Sequence, residues 1–217
     1  MGLFGRRKIS IKDVSVQLSG WELVERNASI EAYQHENGDL FTINFFDLPP
    51  DIGASLADVD GVRDFYRQML VSNHLAMLEC EIESLDGLPT VYVLAKAPLQ
   101  PTGFAFIASQ IIPRQDCSVV LKYQAVEEGV TGMRESIVMS QLMQPEQGSF
   151  ADQLSSWCAD PYDPSLKYPV MRNRADSPEF DEKFPDHPLS RARAFMNQLP
   201  ARVTIFKSLR KAPEFKR

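Results

Sequence analysis

What is scarce in this chain narrows its options before any pattern is read. Cysteine occurs three times, at Cys80, Cys117 and Cys158, an odd number, far apart and with no C-x-x-C pair. That spacing argues against a disulfide framework or a zinc site, and three reduced thiols suit a cytoplasm. No apolar run approaches the ~18–20 residues that span a bilayer. The basic start, MGLFGRRKISI, lacks the apolar stretch and small-residue cleavage site of a secretory signal, and Arg6 stands where N-myristoylation uses Ser or Thr. Histidine is limited to His35, His74 and His187, none near another in sequence. There is no G-x-S-x-G elbow and no complete phosphate loop. The resulting expectation is a cytoplasmic chain with no cofactor, no metal and no catalytic residues.

Apolar material is ample: 44% of the 217 residues are hydrophobic and 10% aromatic, enough for one large domain or a domain with an extension. The formal charge of −6 is unevenly divided. Residues 1–8 carry Arg6, Arg7 and Lys8, and residues 188–217 carry eight Lys or Arg against Glu214 alone, so the body between them is strongly acidic. An acidic body with basic ends can hold its ends by attraction or offer two surfaces to partners. It makes nucleic acid an unlikely main partner, because phosphate binding needs a concentrated basic face.

Periodicity divides the chain. SIEAYQHENGDLFTINFF reads as a hairpin around Asn37-Gly38. A two-residue turn there pairs Ile30 with Phe45, Ala32 with Ile43 and Gln34 with Phe41 on one face. A helix follows, with Leu56, Val59, Val62, Phe65, Tyr66, Met69 and Leu70 at three- and four-residue spacing and Ser55 as its cap. Then come LECEIES, with Leu78, Cys80 and Ile82 inward, and TVYVLAK, GFAFIASQII and CSVVLKYQAV, apolar on both faces and so covered on both. TGMRESIVMSQLM reads as a helix capped by Thr131 that buries Met133, Ile137, Val138 and Leu142. The expectation is an α+β fold: an antiparallel sheet of about six strands covered by helices. A basic segment occupies 1–14, the sandwich 15–144, and 145–217 packs on the same domain as a short helix, an arm and a basic terminal helix.

This element order, with the GVTGMRES lead into a helix after the last strand, resembles the PsbP-like α/β/α sandwich over roughly residues 15–144. Members of that fold mostly bind other proteins, which is what the resemblance implies here. Residues 157–193 are similar to segments of bacterial proteins that share a W…DPYD…FPDHPLSR pattern, a likeness that brings no activity with it.

From residue 145 the character changes. Seven of the fifteen prolines lie between 145 and 188. A short helix, SFADQLSSW, would bury Phe150, Leu154 and Trp157. The long segment after it has no periodicity but carries Tyr162, Leu166, Tyr168, Phe180 and Phe184, too many anchors for a disordered linker. It reads as an ordered arm. It closes in a helix from about 188 that buries Leu189, Ala192, Met196 and Leu199, with Pro200 limiting its extension.

The arm's carboxylates, Asp160, Asp163, Asp176, Asp181 and Asp186, stand beside or near prolines and read first as turn builders. His187 reads as the cap of the last helix, with Pro188 at its first position. Arg172 and Arg174 are expected to pair with Asp160, Asp163, Asp176 or the acidic body. The candidate binding residues are Trp157, Tyr162, Asp163, Arg172, Arg174, Asp186 and His187. They fit a protein-interaction domain of adaptor or chaperone-like character. The alternative is a small-ligand binder or enzyme with a pocket between sheet and arm, using Asp163, Arg172 and His187. Whether residues 201–217 dock on the body, and the oligomeric state, stay open.

Overall fold

The computed structural model describes residues 8–143 and 149–217. It has an α+β fold organised around one seven-stranded antiparallel sheet. Its strands are β2 (Trp21–Arg26), β3 (Ile30–His35), β4 (Leu40–Phe46), β5 (Ala76–Leu85), β6 (Leu88–Pro98), β7 (Phe104–Pro113) and β8 (Ser118–Val126), in the spatial order β2-β3-β4-β8-β7-β6-β5. A second, two-stranded sheet joins β1 (Val14–Val16) to β9 (Val203–Ile205). Strands β1, β2 and β9 are additions to the sequence reading. Two are three residues long, too short for their alternation to stand out, and β2 is an edge strand facing water along most of its length.

Both faces of the sheet are covered, and alternate residues of β6 show it. Tyr92 and Leu94 join one apolar cluster with Phe41, Ile43, Phe106 and Leu121, under Leu189, Phe195, Met196 and Leu199 of α4 (Pro188–Arg202). Val91, Val93 and Ala95 join the other, under Val62, Tyr66 and Leu70 of α1 (Val59–Ser72). A third, smaller cluster packs Val138 of α2 (Met133–Leu142) against Trp157, Ala175 and Phe180.

The hairpin forms one residue out of the expected register. His35 N–H donates to Asp39 O and Gly38 N–H to His35 O, both at 2.9 Å, so the loop has three residues and closes through Gly38 at φ +86°. Asn37 braces it, its side chain accepting from the Asp39 N–H and donating to the Asp39 carboxylate. A type I turn followed by a left-handed glycine competes with the two-residue turn for the same Asn-Gly. Tyr33 therefore stands opposite Phe41, and Ala32 opposite Thr42. The slip leaves Asp39 buried.

Other expectations are corrected in the same local way. A bulge between Met77 and Glu79 turns Leu78 to the α4 side, while Cys80 and Ile82 stay on the α1 side. Asp58, not Ser55, caps α1, accepting from Gly61 N–H at 3.0 Å, and Met69 is exposed. Gly132, at φ +71°, stands at the cap of α2, and Thr131 instead bonds the Thr102 hydroxyl. That helix turns Val138 and Arg134 inward and leaves Met133 and Ile137 exposed. In α3 (Phe150–Ser155) Leu154 is exposed, while Trp157 beyond it is buried. The Phe150 side chain, the basic residues Arg6 and Arg7, and Pro145 lie outside the described residues. Pro200 sits inside α4, which runs on to Arg202.

The arm and the C-terminus lie against the sheet. After β9 the chain makes α5 (Lys207–Arg210), buries Leu209 and returns to pack Phe215 beside the α1-side cluster. Arg210 pairs with Asp86, and the backbone at Glu214 forms an isolated antiparallel bridge with that at Arg114. The arm is held by polar contacts more than by apolar ones. Lys96 of β6 and Asp176 are each 1% exposed and meet at 2.5 Å, with Asp176 also accepting from Asn173 N–H at 2.7 Å. Breaking a buried pair strands one charge, whereas removing both together does not. Lys96→Ala is expected to lower the unfolding free energy by about 3–5 kcal/mol in urea melts, and Lys96→Met with Asp176→Leu by far less. Equal losses in the two variants would disprove that account of the pair.

Candidate functional site

Three of the arm's acidic residues, Asp160, Asp176 and Asp181, are consumed by cations from other elements. Arg67 of α1 grips Asp160 with two hydrogen bonds, at 2.8 and 3.1 Å, and pairs with Asp64. Asp160 also accepts from the N–H groups of Tyr162 and Asp163. Burial pushes the Asp160 carboxyl up, but Arg67 and these two backbone donors outweigh it and hold the group below the usual carboxylate range. Asp181 lies between Arg134 at 2.9 Å and Arg193 at 3.0 Å. Arg134, 1% exposed, also reaches Ala175 O, Ser177 O and Ser190 Oγ. Arg193 spans from Glu79 at 2.6 Å to Asp176 O. Buried Asp39 takes a two-bonded grip from Arg191, at 2.8 and 2.7 Å, and the Tyr123 hydroxyl.

These pairings relocate most of the residues singled out in the sequence. Trp157 is a core side chain. Tyr162 accepts from Cys80 N–H at 2.6 Å and donates to Glu81 at 2.8 Å, with the Arg63 guanidinium 3.9 Å from its ring centre. Asp163 is turned to Ser165. The expected pairing of Arg172 and Arg174 with Asp160 and Asp176 is not what forms. Those carboxylates bind Arg67 and Lys96, which approach from inside the fold, and Arg174 is exposed. Arg172 and Arg174 line a shallow hollow of about 190 Å³ with Trp157. It is separate from the surroundings of His187.

His187 and Asp186 border a cleft of about 430 Å³ between the end of β8, the start of α2 and the end of the arm. Its lining sets a group of apolar residues, Val126, Val130 (75% exposed), Met133 (53% exposed) and Phe184, among charged ones such as Glu128, Lys183 and Arg191. His187 caps α4 as the sequence suggests, its Nδ1 accepting from Leu189 N–H at 3.2 Å. Its ring packs against Phe106, and its Nε2 points at Glu127 Oε1, 3.4 Å away. Glu127 is fixed by Phe104 N–H at 2.8 Å and Gly132 N–H at 3.2 Å. Burial pushes its carboxyl up, but the contact with His187 and these donors more than offset that, and the net shift is downward.

Glu135, the third residue of α2, completes the group. One ligand atom each from Glu127, Glu135 and His187 lie within 4.8 Å of one another. Both carboxylate oxygens of Glu135 and Nε2 of His187 are shielded from solvent and have no hydrogen-bond partner among the described residues. Sequence reasoning reached His187 and the GVTGMRES turn separately but missed Glu127 and Glu135. They are between fifty and sixty residues from His187, and no spacing rule links them. The only available hint was that two glutamates flank that turn.

No helix among the described residues is long and apolar enough to cross a membrane. The three cysteines are free, with Cys80 and Cys117 buried, and burial pushes the Cys80 thiol up to about 12.

The depressed Asp160 carboxyl makes a pH prediction. The unfolded chain protonates Asp near 3.9 and the folded chain only below that. The stability it contributes is therefore fully present above the unfolded value and lost as pH falls through the folded one. The difference in urea midpoint between wild type and Asp160→Asn is expected to be largest above about pH 5 and to shrink towards pH 2–3. A constant difference over that range would show that the pair contributes no linked stability.

No family model matches the chain, and no curated protein matches it. A crystal structure of a protein from Bacteroides thetaiotaomicron is similar to it at 13% identity, over 55% of this chain and 41% of that one, with a TM-score of 0.35. The chain thus spans less than half the length of that protein, and so distant a likeness says nothing of function.

Proposed function

We propose that this chain acts by binding a protein partner, with the cleft beside His187 as its recognition site, and that it does so as an adaptor or chaperone-like factor in a bacterial cytoplasm. One observation carries this reading. Val130 and Met133 are the most exposed apolar residues on the cleft rim, and they stand together with Val126 and Phe184 around one concavity. Grouped apolar exposure around a concave site marks interaction surfaces, whereas scattered single residues do not. The arm's aromatics are a weaker candidate, because Trp157 and Phe180 are spent in the core. The resemblance to the PsbP-like sandwich, whose members mostly bind proteins, agrees with this reading as analogy.

A second reading, a small ligand in the same cleft, is favoured by the unpartnered oxygens of Glu135 and Nε2 of His187 beside it. It differs from the pocket expected from sequence, since Asp163 and Arg172 do not border this cleft.

The test is a cross-linking pull-down from the native host with wild type, Val130→Asp/Met133→Asp and a control, Leu48→Asp, at a residue 68% exposed elsewhere. All three substituted sites are on the surface, so melting curves should agree to within about 0.5 kcal/mol. A protein retained by wild type and the control but lost by the double variant is the expected outcome. Identical retention by all three would refute the cleft as the site of recognition.

A further inference from the structure

We infer that Glu127, Glu135 and His187 form a binding site for one divalent transition-metal ion beside the cleft, which Glu127 and His187 line, a site that goes beyond the partner-binding reading and does not depend on it. The argument begins with what the buried atoms lack. A carboxylate shielded from water needs donors or a cation, and Glu135 has neither hydrogen-bond partner nor exposure at either oxygen. Arg134, its neighbour in α2, is already committed to Asp181, Ser190 and two carbonyls. A second carboxylate, Glu127, lies within the same few ångströms, and although two N–H groups hold it, two negative charges this close raise each other's cost. A cation between them removes that cost.

The geometry and the donor types agree on the class of ion. About 2.1 Å from metal to ligand in a tetrahedral site places neighbouring ligand atoms about 3.4 Å apart. Glu127 Oε1 and His187 Nε2 are already 3.4 Å apart, and Glu135 completes a trio no wider than 4.8 Å. The side chains of Glu127 and His187 are 5% and 10% exposed, so two of the three ligands are held in a largely dry place. One imidazole with two carboxylates suits zinc and its first-row neighbours better than calcium or magnesium, which prefer oxygen alone. Three protein ligands leave a fourth position for water or a ligand in the cleft. Glu127 is oriented by Phe104 and Gly132 N–H groups, an outer shell of the kind metal carboxylates use.

His187 adds a consequence specific to this chain. A neutral ring accepting at Nδ1 from Leu189 carries its proton on Nε2, facing the glutamates. A metal takes the Nε2 lone pair, so that proton leaves Nε2 and one is taken up at Nδ1, with no net change in the ring's protonation. Nδ1 then becomes a donor, and the cap on Leu189 N–H is lost. Loading the site therefore loosens the first turn of α4.

The experiment uses the full chain, stripped with chelator and then titrated with zinc by calorimetry, with metal content measured after gel filtration. Wild type is expected to hold one zinc per chain. Glu135→Gln preserves shape, and His187→Ser preserves a helix cap, so both should fold, and both should bind at least tenfold more weakly. Without metal, Glu135→Gln should melt no lower than wild type, because it removes a buried charge that has no partner. With zinc, only wild type should gain in melting temperature, and its Leu189 amide should exchange faster. Absence of zinc uptake by wild type overturns the inference, as does uptake that either substitution leaves intact or that leaves Leu189 unchanged. The cleft's protein partner would be untouched by that failure, since Val130 and Met133 are not ligands.

Discussion

A buried lysine on a covered strand sets the terms for the rest of this structure. Lys96 belongs to a strand that is mostly apolar and packed on both sides, and its own side chain is only 1% exposed. Its charge requires a carboxylate, and the partner it has, Asp176, lies on the arm eighty residues later. The arm is thereby committed to the sheet. With Asp176 in place, Ala175 O and Ser177 O face Arg134, and Asp176 O faces Arg193. Those two arginines share Asp181, and the chain then enters α4 at His187. Each pair fixes the backbone that the next one uses. Removing single members of such a series should couple non-additively.

The energetic character of the arm follows from this arrangement. Its apolar content is modest: Trp157, Ala175 and Phe180 make one small cluster with Val138. Its order comes instead from charges withdrawn from water and matched, which add specificity of position more than net stability. An apolar strap could slide on its surface. A strap held by Arg67–Asp160, Lys96–Asp176 and Arg193–Asp181 has one register.

The elements legible in the sequence were those whose burial is periodic. The helices at 59–72 and 188–202 and strands β3 to β8 bury alternating or 3.6-spaced apolar residues, so the pattern names them. His187 as a helix cap was legible too, because Pro188 has a local reason to be there. What escaped depended on competition or distance. The Asn37-Gly38 loop had two compatible turns, and only the braced Asp39 decides between them. The bulge at Leu78 inverts one residue in an otherwise clean alternation. Arg172 and Arg174 were close in sequence to suitable acids, yet Arg67 and Lys96 were closer in space. Proximity along the chain is a poor guide to ion pairing once a sheet can present a cation from a hundred residues away.

The same distinction separates the cluster at Glu127, Glu135 and His187 from the other buried charges. Most of the arm's buried carboxylates have a cation within 3.1 Å, and the architecture arranges for it. At Glu135 it does not: Arg134 is adjacent in sequence but turned to Asp181 and Ser190. Among the described residues Glu135 is a carboxylate with both oxygens shielded and without a hydrogen-bond partner, which is the feature that marks this site. The cluster also lies where three independently held elements meet: the end of β8, the first turn of α2 and the cap of α4. An ion bound there has ligands from all three, and it binds only while the arm is docked. By linkage its free energy of binding adds to the docking of the arm, and the cleft rim formed by Val130, Met133 and Phe184 becomes better defined as a consequence. A site of that kind would tie the shape of a recognition surface to the presence of a metal.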